Sequence, residues 1–492
     1  MEGVRRQLTV GAMWTAGGRI VSNLLGVVST LALARLLTPA DFGLVALATI
    51  VLSIVEAITE LSLSSALIQH KDPQREHYDT AWTLSMLRAA AIAVLLIAAA
   101  YPVAWGYHDD RLIGIFFALA GGTLISGLVN PRLVDYRRRL SFHQEIFMGL
   151  INRIIGLVVS VVIALMWHSY WALLIGTLAS QVAGVIMSYV LIPYMPRISF
   201  SHWRDLFSFS GWVALSSGLN ALNWRADQLA LGAMLGAGPL GQYTVGDKLS
   251  SLPVNETTAP IANMLFPAYA RLQDHPERLR HAFLRSQGLL VAAALPVGVG
   301  FALVAEPFIN IVLGPAWDAA ALVVQVLGTV FAASAFQMPV NPLAMGLGRT
   351  RSLFQRDLIF IFVRYPLIFG GLFLNGLVGL LVARCISGTI GILMSLYLAR
   401  RLTGVTVTAQ LLSGWRAIVA TLVMAGCVWG AGLMIAGRSE VLQLMIMIPI
   451  GGISYLGTSV ALWLASGRPA GPETEALHLL QIACRRAGLI AT

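Results

Sequence analysis

The sequence predicts an all-α polytopic membrane protein with about 14 transmembrane helices: two pseudo-symmetric six-helix lobes around a central cavity, plus two C-terminal helices. Three observations lead there. Hydrophobic residues make up 57% of the 492, and charged residues only 11%, too few to cover a water-facing surface. Apolar stretches recur at the length of about 20 residues that crosses a bilayer core of roughly 30 Å. The basic residues also alternate, with 22 Lys and Arg in one set of connections and 3 in the other.

Taken in order, the apolar stretches cover 8–34, 42–68, 80–104, 111–131, 144–166, 170–193, 207–235, 240–269, 282–304, 317–347, 352–373, 376–399, 412–436 and 441–465. Their ends are set to about 2–4 residues. The basic connections include Arg5, Arg6, Arg137, Arg138, Arg139, Arg278, Arg280, Arg349, Arg351, Arg400 and Arg401, whereas the alternate ones hold only Arg35, Arg111 and Arg438. Lys and Arg of short loops stay on the cytoplasmic side, so both termini are expected in the cytoplasm. The net charge of +10 is this same signal and not a nucleic-acid footprint. Arg5 and Arg6 with Ala32-Leu33-Ala34 could suggest a cleaved leader. Arg19 and Asn23 interrupt that apolar region, so a retained first helix is expected.

Catalysis has no candidate constellation, and no enzyme is predicted. The connections are about ten to fifteen residues at most; none can hold a domain. The chain has no phosphate-loop motif, no HExxH helix and no Cys/His cluster, so neither cofactor nor metal is expected. Cys385, Cys427 and Cys484 suggest no disulfide framework. Glu306–Trp317 is apolar but too short to cross, and is expected to be interfacial or re-entrant. From Arg468 the tail is amphipathic, with Leu477 and Leu480 against Glu473, Glu475, Arg485 and Arg486.

A displacement of 198 residues sets Trp14 on Trp212, Leu31-Ala32-Leu33 on Leu229-Ala230-Leu231, Leu37 on Leu235 and Gly43 on Gly241. Each set is expected to join two spans through a Gly-containing turn. At 211 residues, Val129-Asn130-Pro131 meets Val340-Asn341-Pro342, Arg138 meets Arg349 and Ser141 meets Ser352. The expected organisation is therefore an N-terminal six-helix lobe over 1–200, a second over 201–403, helices 13 and 14 over 404–467, and a cytoplasmic tail over 468–492. Parallel repeats place a substrate path between the halves.

Charges inside the stretches are the functional clue, because one at the bilayer centre costs about 2.5–3.5 kcal/mol even on insertion scales. Arg19, Arg88, Arg153, Arg225, Lys248 and Arg364 are the candidate substrate-binding residues of a cationic cavity. Glu56, Glu60, Asp227 and Asp247 are candidate ion-coupling acids. Arg384 and Arg416 are read instead as snorkelling to the headgroups. Span seven is the most polar, with Ser216, Ser217, Asn220, Asn223, Arg225, Asp227 and Gln228, and Pro253 and Pro260 are expected to break span eight. A cation-rich cavity suits an anionic cargo, phosphate above all, since the guanidinium fork donates to two adjacent oxygens.

The stretch Ala32-Leu-Ala-Arg-Leu-Leu-Thr-Pro-Ala-Asp-Phe-Gly43 resembles a signature of bacterial polysaccharide-exporting flippases. Asp227-Gln-Leu-Ala-Leu-Gly232 through Leu240-Gly241-Gln-Tyr243, Phe266-Pro267-Ala268 and Tyr136-Arg-Arg-Arg-Leu-Ser-Phe142 are similar to further segments of that group. The resemblance covers nearly the whole chain and points to the polysaccharide transport (Wzx/WzxC-like) family of the multidrug/oligosaccharidyl-lipid/polysaccharide, or MOP, superfamily. It implies a flippase for undecaprenyl-diphosphate-linked oligosaccharide repeat units, working by alternating access coupled to an ion gradient, in surface or exopolysaccharide synthesis. Its implied partners are that lipid-linked oligosaccharide, the bilayer and polysaccharide polymerase or export machinery, with no nucleic acid. Helices 13 and 14 match the tail groove of related lipid II flippases. A lipid II flippase, a drug/cation antiporter of the same superfamily and a polysaccharide polymerase or ligase are the rival expectations.

Overall fold

A computed structural model describes residues 2–61, 63–70, 72–139, 141, 143–201, 203, 210–468, 471 and 473–474. Among these the regular structure is entirely helical. Among the described residues ten helices are long and apolar enough to cross a membrane, or eleven if one bent pair, Arg111–Gly127 with Pro131–Arg138, is a single span. Apolar side chains point outward in numbers no soluble protein tolerates: Phe373 is 82% and Ile453 73% exposed. These belong against lipid tails, and the chain is a multi-pass membrane protein. The expected fourteen segments include two long helices that are not among the ten, Ser210–Leu235 and Ala237–Arg271.

Close packing divides the chain into two units, Met1–Thr244 and Val245–Thr492. The first holds α1 (Glu2–Leu36), α2 (Pro39–Ile58), α3 (Arg75–Tyr107), α4 (Arg111–Gly127), α5 (His143–Trp167), α6 (Trp171–Leu191) and α7 (Ser210–Leu235). In it, α5 packs on α6 and α1, α3 on α4, and α7 on α2. Helix α8 (Ala237–Arg271) begins in this unit and carries on into the second.

Local chemistry sets the helix starts. Thr38 caps α2: its hydroxyl accepts from the Asp41 amide at 3.3 Å, and the Asp41 carboxylate accepts from the Thr38 amide at 3.0 Å. This reciprocal box satisfies two orphan donors, and Pro39 at the first helical position gives up an amide that had no partner. Helix α3 ends at His108 in the left-handed region, φ 52°. The next turn is clasped by Arg111, whose Nη2 reaches Asp109 at 2.7 Å. Hydrogen bonding from Arg111 holds the Asp109 carboxyl below the ordinary carboxylate range.

The expected glycine turns are corrected by the structure. Gly43 and Gly241 lie inside helices, not in the turns; Gly236, φ +82°, makes the second turn. What these two positions share is a close crossing. A Cβ on Gly43 would sit 1.7 Å from the Ala237 carbonyl oxygen, and one on Gly241 1.8 Å from that of Pro39. The two repeat-related glycines thus let the starts of α2 and α8 touch backbone to backbone, as small residues do between membrane helices.

The second unit holds the rest of α8, then α9 (Pro276–Leu303), α10 (Asp318–Ala333), α11 (Thr350–Thr403), α12 (Trp415–Met434) and α13 (Glu440–Ala465). Helix α9 packs on α10 and α12, and α12 on α13. Its core gathers Phe283, Leu290, Val291, Val340, Leu343 and Leu396. Non-helical Asn375 and Gly376, φ +54°, break α11 into two limbs. The limbs fold back so tightly that a Cβ on Gly379 would meet the Gly371 oxygen at 1.9 Å. In the first unit α5 and α6 form the matching hairpin, with Gly156 against Gly176 and His168, φ +46°, at its turn. At the offset of 211, Arg153 of α5 falls on Arg364 of α11.

Pro253 and Pro260 do not break α8, which runs 35 residues through three prolines. A proline removes one amide donor, and crowded membrane helices absorb that cost. The short apolar segment forms an eight-residue helix, Ala305–Val312, tied to α13 by a 3.0 Å bond from Asn310 to Glu440. The amphipathic tail beyond residue 474 lies outside the described residues, as do the side chains of Ser216, Ser217 and Asn220.

Candidate functional site

Four of the predicted cations lie in the first unit, and Arg88, Arg153 and Arg225 each donate to a backbone or side-chain acceptor there. Arg153 on α5 donates through Nη1 to the Ser22 carbonyl of α1, one turn along from exposed Arg19. Gly26 sits beneath that guanidinium, where a Cβ would come within 2.8 Å of Nη1. The structure therefore brings Arg19 and Arg153 to one face of the α1–α5 pair. Arg88 on α3 donates to the Glu56 carbonyl at 2.9 Å, in the last turn of α2. A cation there meets the negative end of the helix dipole. The Glu56 side chain is exposed, so Arg88 and Glu56 form a second group, with Glu60 just past the helix end.

A third group joins α7 to the start of α8. Asp227 is 2% exposed, and its carboxylate accepts from the Tyr243 hydroxyl at 2.8 Å and from the Gln228 amide at 3.0 Å. Arg225 donates to Gln228 Oε1 at 3.1 Å. Asn223 and Gln228 are buried beside them.

In the second unit Arg364 is 2% exposed, with its guanidinium 5.9 Å from the Phe360 ring centroid. Asp247 lies 3.8 Å from Arg384 Nη2, and neighbouring Lys248 is exposed. The expected snorkelling of Arg384 and Arg416 is overturned. Arg384 is buried, and Arg416, with only 12% of its side chain exposed, pairs with Glu473 at 3.1 Å. An available carboxylate inside the protein competes with the headgroups, and a sequence read helix by helix cannot show that partner. The predicted site residues thus form separate groups within each unit: Arg19 near Arg153, Arg88 with Glu56, and Arg225 near Asp227, while Asp247 meets Arg384, which was not among them.

Sequence reasoning missed the polar network at the basic end of the first unit. Asp79, 4% exposed, accepts from the Tyr194 hydroxyl at 2.5 Å and the Arg197 amide at 2.9 Å. Burial and this bond push the Tyr194 phenol above its ordinary range. Asp135 accepts from Tyr78 at 2.5 Å, and Arg132 lies over the Tyr78 and Tyr194 rings. The one available signal was an acid near the start of a basic-flanked span. Among the described residues no cluster of three or more His, Cys, Asp or Glu could hold a metal.

Charged side chains buried in two bundles of apolar helices, each with a glycine-packed hairpin, define a multi-pass membrane protein with polar groups inside its helical units. The family model described as polysaccharide biosynthesis protein matches residues 32–322, and the chain belongs to that family. It is 23% identical over 447 residues to the lipopolysaccharide biosynthesis protein WzxC of Escherichia coli (strain K12), covering 88% of this chain and 89% of that protein. It is 25% identical over 436 residues to the succinoglycan biosynthesis transport protein ExoT of Rhizobium meliloti (strain 1021), covering 86% of each. Its fold resembles that of the lipid II flippase MurJ in an inward closed conformation, with a TM-score of 0.70 at 12% identity, covering 93% of this chain and 100% of that one.

Proposed function

We propose that the protein is a flippase that moves undecaprenyl-diphosphate-linked oligosaccharide repeat units across the bacterial inner membrane for surface or exopolysaccharide synthesis. The observation that carries this reading is the near end-to-end match to a succinoglycan transport protein. In this reading both termini are cytoplasmic, lobes 1–200 and 201–403 alternate in opening, and 404–467 serves the lipid tail. The diphosphate is received by intramembrane cations, chosen from Arg19, Arg88, Arg153, Arg225, Lys248 and Arg364. Guanidinium groups suit it because each offers two parallel donors to adjacent phosphate oxygens. Flipping breaks no covalent bond, so the reading needs no catalytic group.

A closed cycle needs an energy source, and Glu56, Glu60, Asp227 and Asp247 are its candidate ion carriers. The test is transfer of a fluorescent undecaprenyl-diphosphate oligosaccharide across proteoliposomes, with and without an imposed proton gradient. Gradient-dependent transfer, lost in Arg19→Ala and Arg88→Ala protein that still folds, is expected. Full transfer in Arg19→Ala, Arg88→Ala and Arg225→Ala would remove the cationic site. Efflux of a cationic dye in place of lipid transfer would favour an antiporter.

A further inference from the structure

The second unit carries a cavity of about 730 Å³ outside the proposed transport residues. It opens where the first limb of α11 starts and the second limb ends, at the end bearing the basic connections. Arg349, Ser352, Arg356 and Arg401 line it, with apolar Ile359 and Met394 along one side. Arg401 lies 5.8 Å from the Tyr397 ring centroid, and Arg349 and Arg401 are exposed. Neither makes a salt bridge among the described residues. Arg356 is held by Asp357 at 2.7 Å and by Ser395 Oγ at 3.3 Å. Asp274 is the one acid on the wall.

The repeat shows that this charge is not obligatory. At the offset of 211, Arg349 corresponds to Arg138 and Arg356 to Glu145. In the first unit Arg138 is spent on the His70 carbonyl at 3.0 Å, and Glu145 takes the neighbouring Arg137 in an ion pair. Arg132 pairs with Asp135 at 3.4 Å. That basic turn thus has two of its arginines paired with carboxylates. Its counterpart in the second unit has an arginine where the first has a carboxylate, and a cavity in front of it.

We propose that this cavity is an anion site for a phosphate-bearing group, separate from the transport residues. Guanidinium forks and the amides opening α11 match phosphate oxygens, and the apolar side accommodates the first carbons of an acyl chain. Basic pockets of this kind at the membrane face take lipid headgroups. A phosphate group could come from an anionic phospholipid or from a free phosphate, and the two are separable.

The experiment titrates detergent-purified full-length protein with dihexanoylphosphatidylglycerol and, separately, with inorganic pyrophosphate, reading the thermal unfolding midpoint. Saturable stabilisation is expected, with the half-saturating concentration raised about tenfold or more in Arg349→Gln/Arg401→Gln, whose side chains contribute the charge–phosphate bonds. Arg138→Gln should leave it unchanged. Asp274→Asn should lower it about twofold by removing a repulsive charge, which keeps the test decisive if the double variant folds poorly. Stabilisation by the lipid alone assigns a headgroup, and equal stabilisation by pyrophosphate assigns a free phosphate. No saturable shift with either probe, or the same half-saturation in native and double-variant protein, overturns the proposal. Binding is read without transport, so a failed flipping assay leaves this result standing.

Discussion

The basic ends of the two units differ more than their hairpins do. In the first, Asp79 and Asp135 hold Tyr194, Tyr78 and Arg132 together, and Glu145 pairs with Arg137 beside them in the chain. In the second, Arg349 and Arg401 face open space. Deeper in, the hairpins agree: both cross on glycine, Gly156 with Gly176 and Gly371 with Gly379, and both place an arginine at the same repeat position, Arg153 and Arg364. Duplicated membrane segments keep what packs them together, since small residues let backbones approach. Charges at the water-facing end are less constrained and diverge.

The largest expected effect tests the crossing at the starts of α2 and α8. Gly43→Ala or Gly241→Ala places a methyl within 2 Å of a carbonyl oxygen, an overpacking cost of about 3 kcal/mol or more. Thermal unfolding in detergent should show a large loss for either, and an unchanged midpoint would mean the crossing is not as close as described.

Next comes the contrast itself. Asp79→Ala strands a half-buried phenol and an amide and should cost about 2 kcal/mol. Arg349→Gln should change stability by no more than about 0.5 kcal/mol, as exposed substitutions do. Comparable losses from both would show that the second basic end is also a stabilising network.

Arg384→Gln removes the cation facing Asp247 in the second unit, and a loss of about 1 kcal/mol is expected from the surviving, partly buried carboxylate. Restored stability in Arg384→Gln/Asp247→Asn would establish the pairing, whereas additive losses in the double variant would deny it.

The smallest effect is acid-dependent. Hydrogen bonding from Arg111 depresses the Asp109 pKa. The stability it adds is therefore present above the unfolded carboxylate pKa and disappears as pH falls through the lower folded value. Asp109→Asn should flatten that acid limb slightly, and an identical pH profile would show that the clasp adds nothing.

Much of this was legible in the chain. Apolar lengths and the skew of Lys and Arg gave the class, because a bilayer imposes a fixed span and a charge bias. Offsets of 198 and 211 exposed the repeat through Gly43, Gly241, Val129-Asn130-Pro131 and Val340-Asn341-Pro342. The role of the glycines was misplaced, since a residue that permits a crossing looks in one dimension like a residue that permits a turn. Arg88, Arg153 and Arg225 stood out as intramembrane cations, but their partners did not: two of the three are backbone carbonyls on other helices, which any sequence supplies.

Sequence by itself determined that this protein is a membrane-embedded helical bundle, with cations held inside its apolar helices. Composition and periodicity answer to the solvent, and the alternation of lipid and water along the chain is written directly in them. Only the tertiary structure decided which of those cations are satisfied and where charge remains open. It set Arg384 on Asp247, spent Arg138 on His70 and left Arg349 beside a cavity, because the fate of a charge is fixed by neighbours brought from elsewhere in the chain.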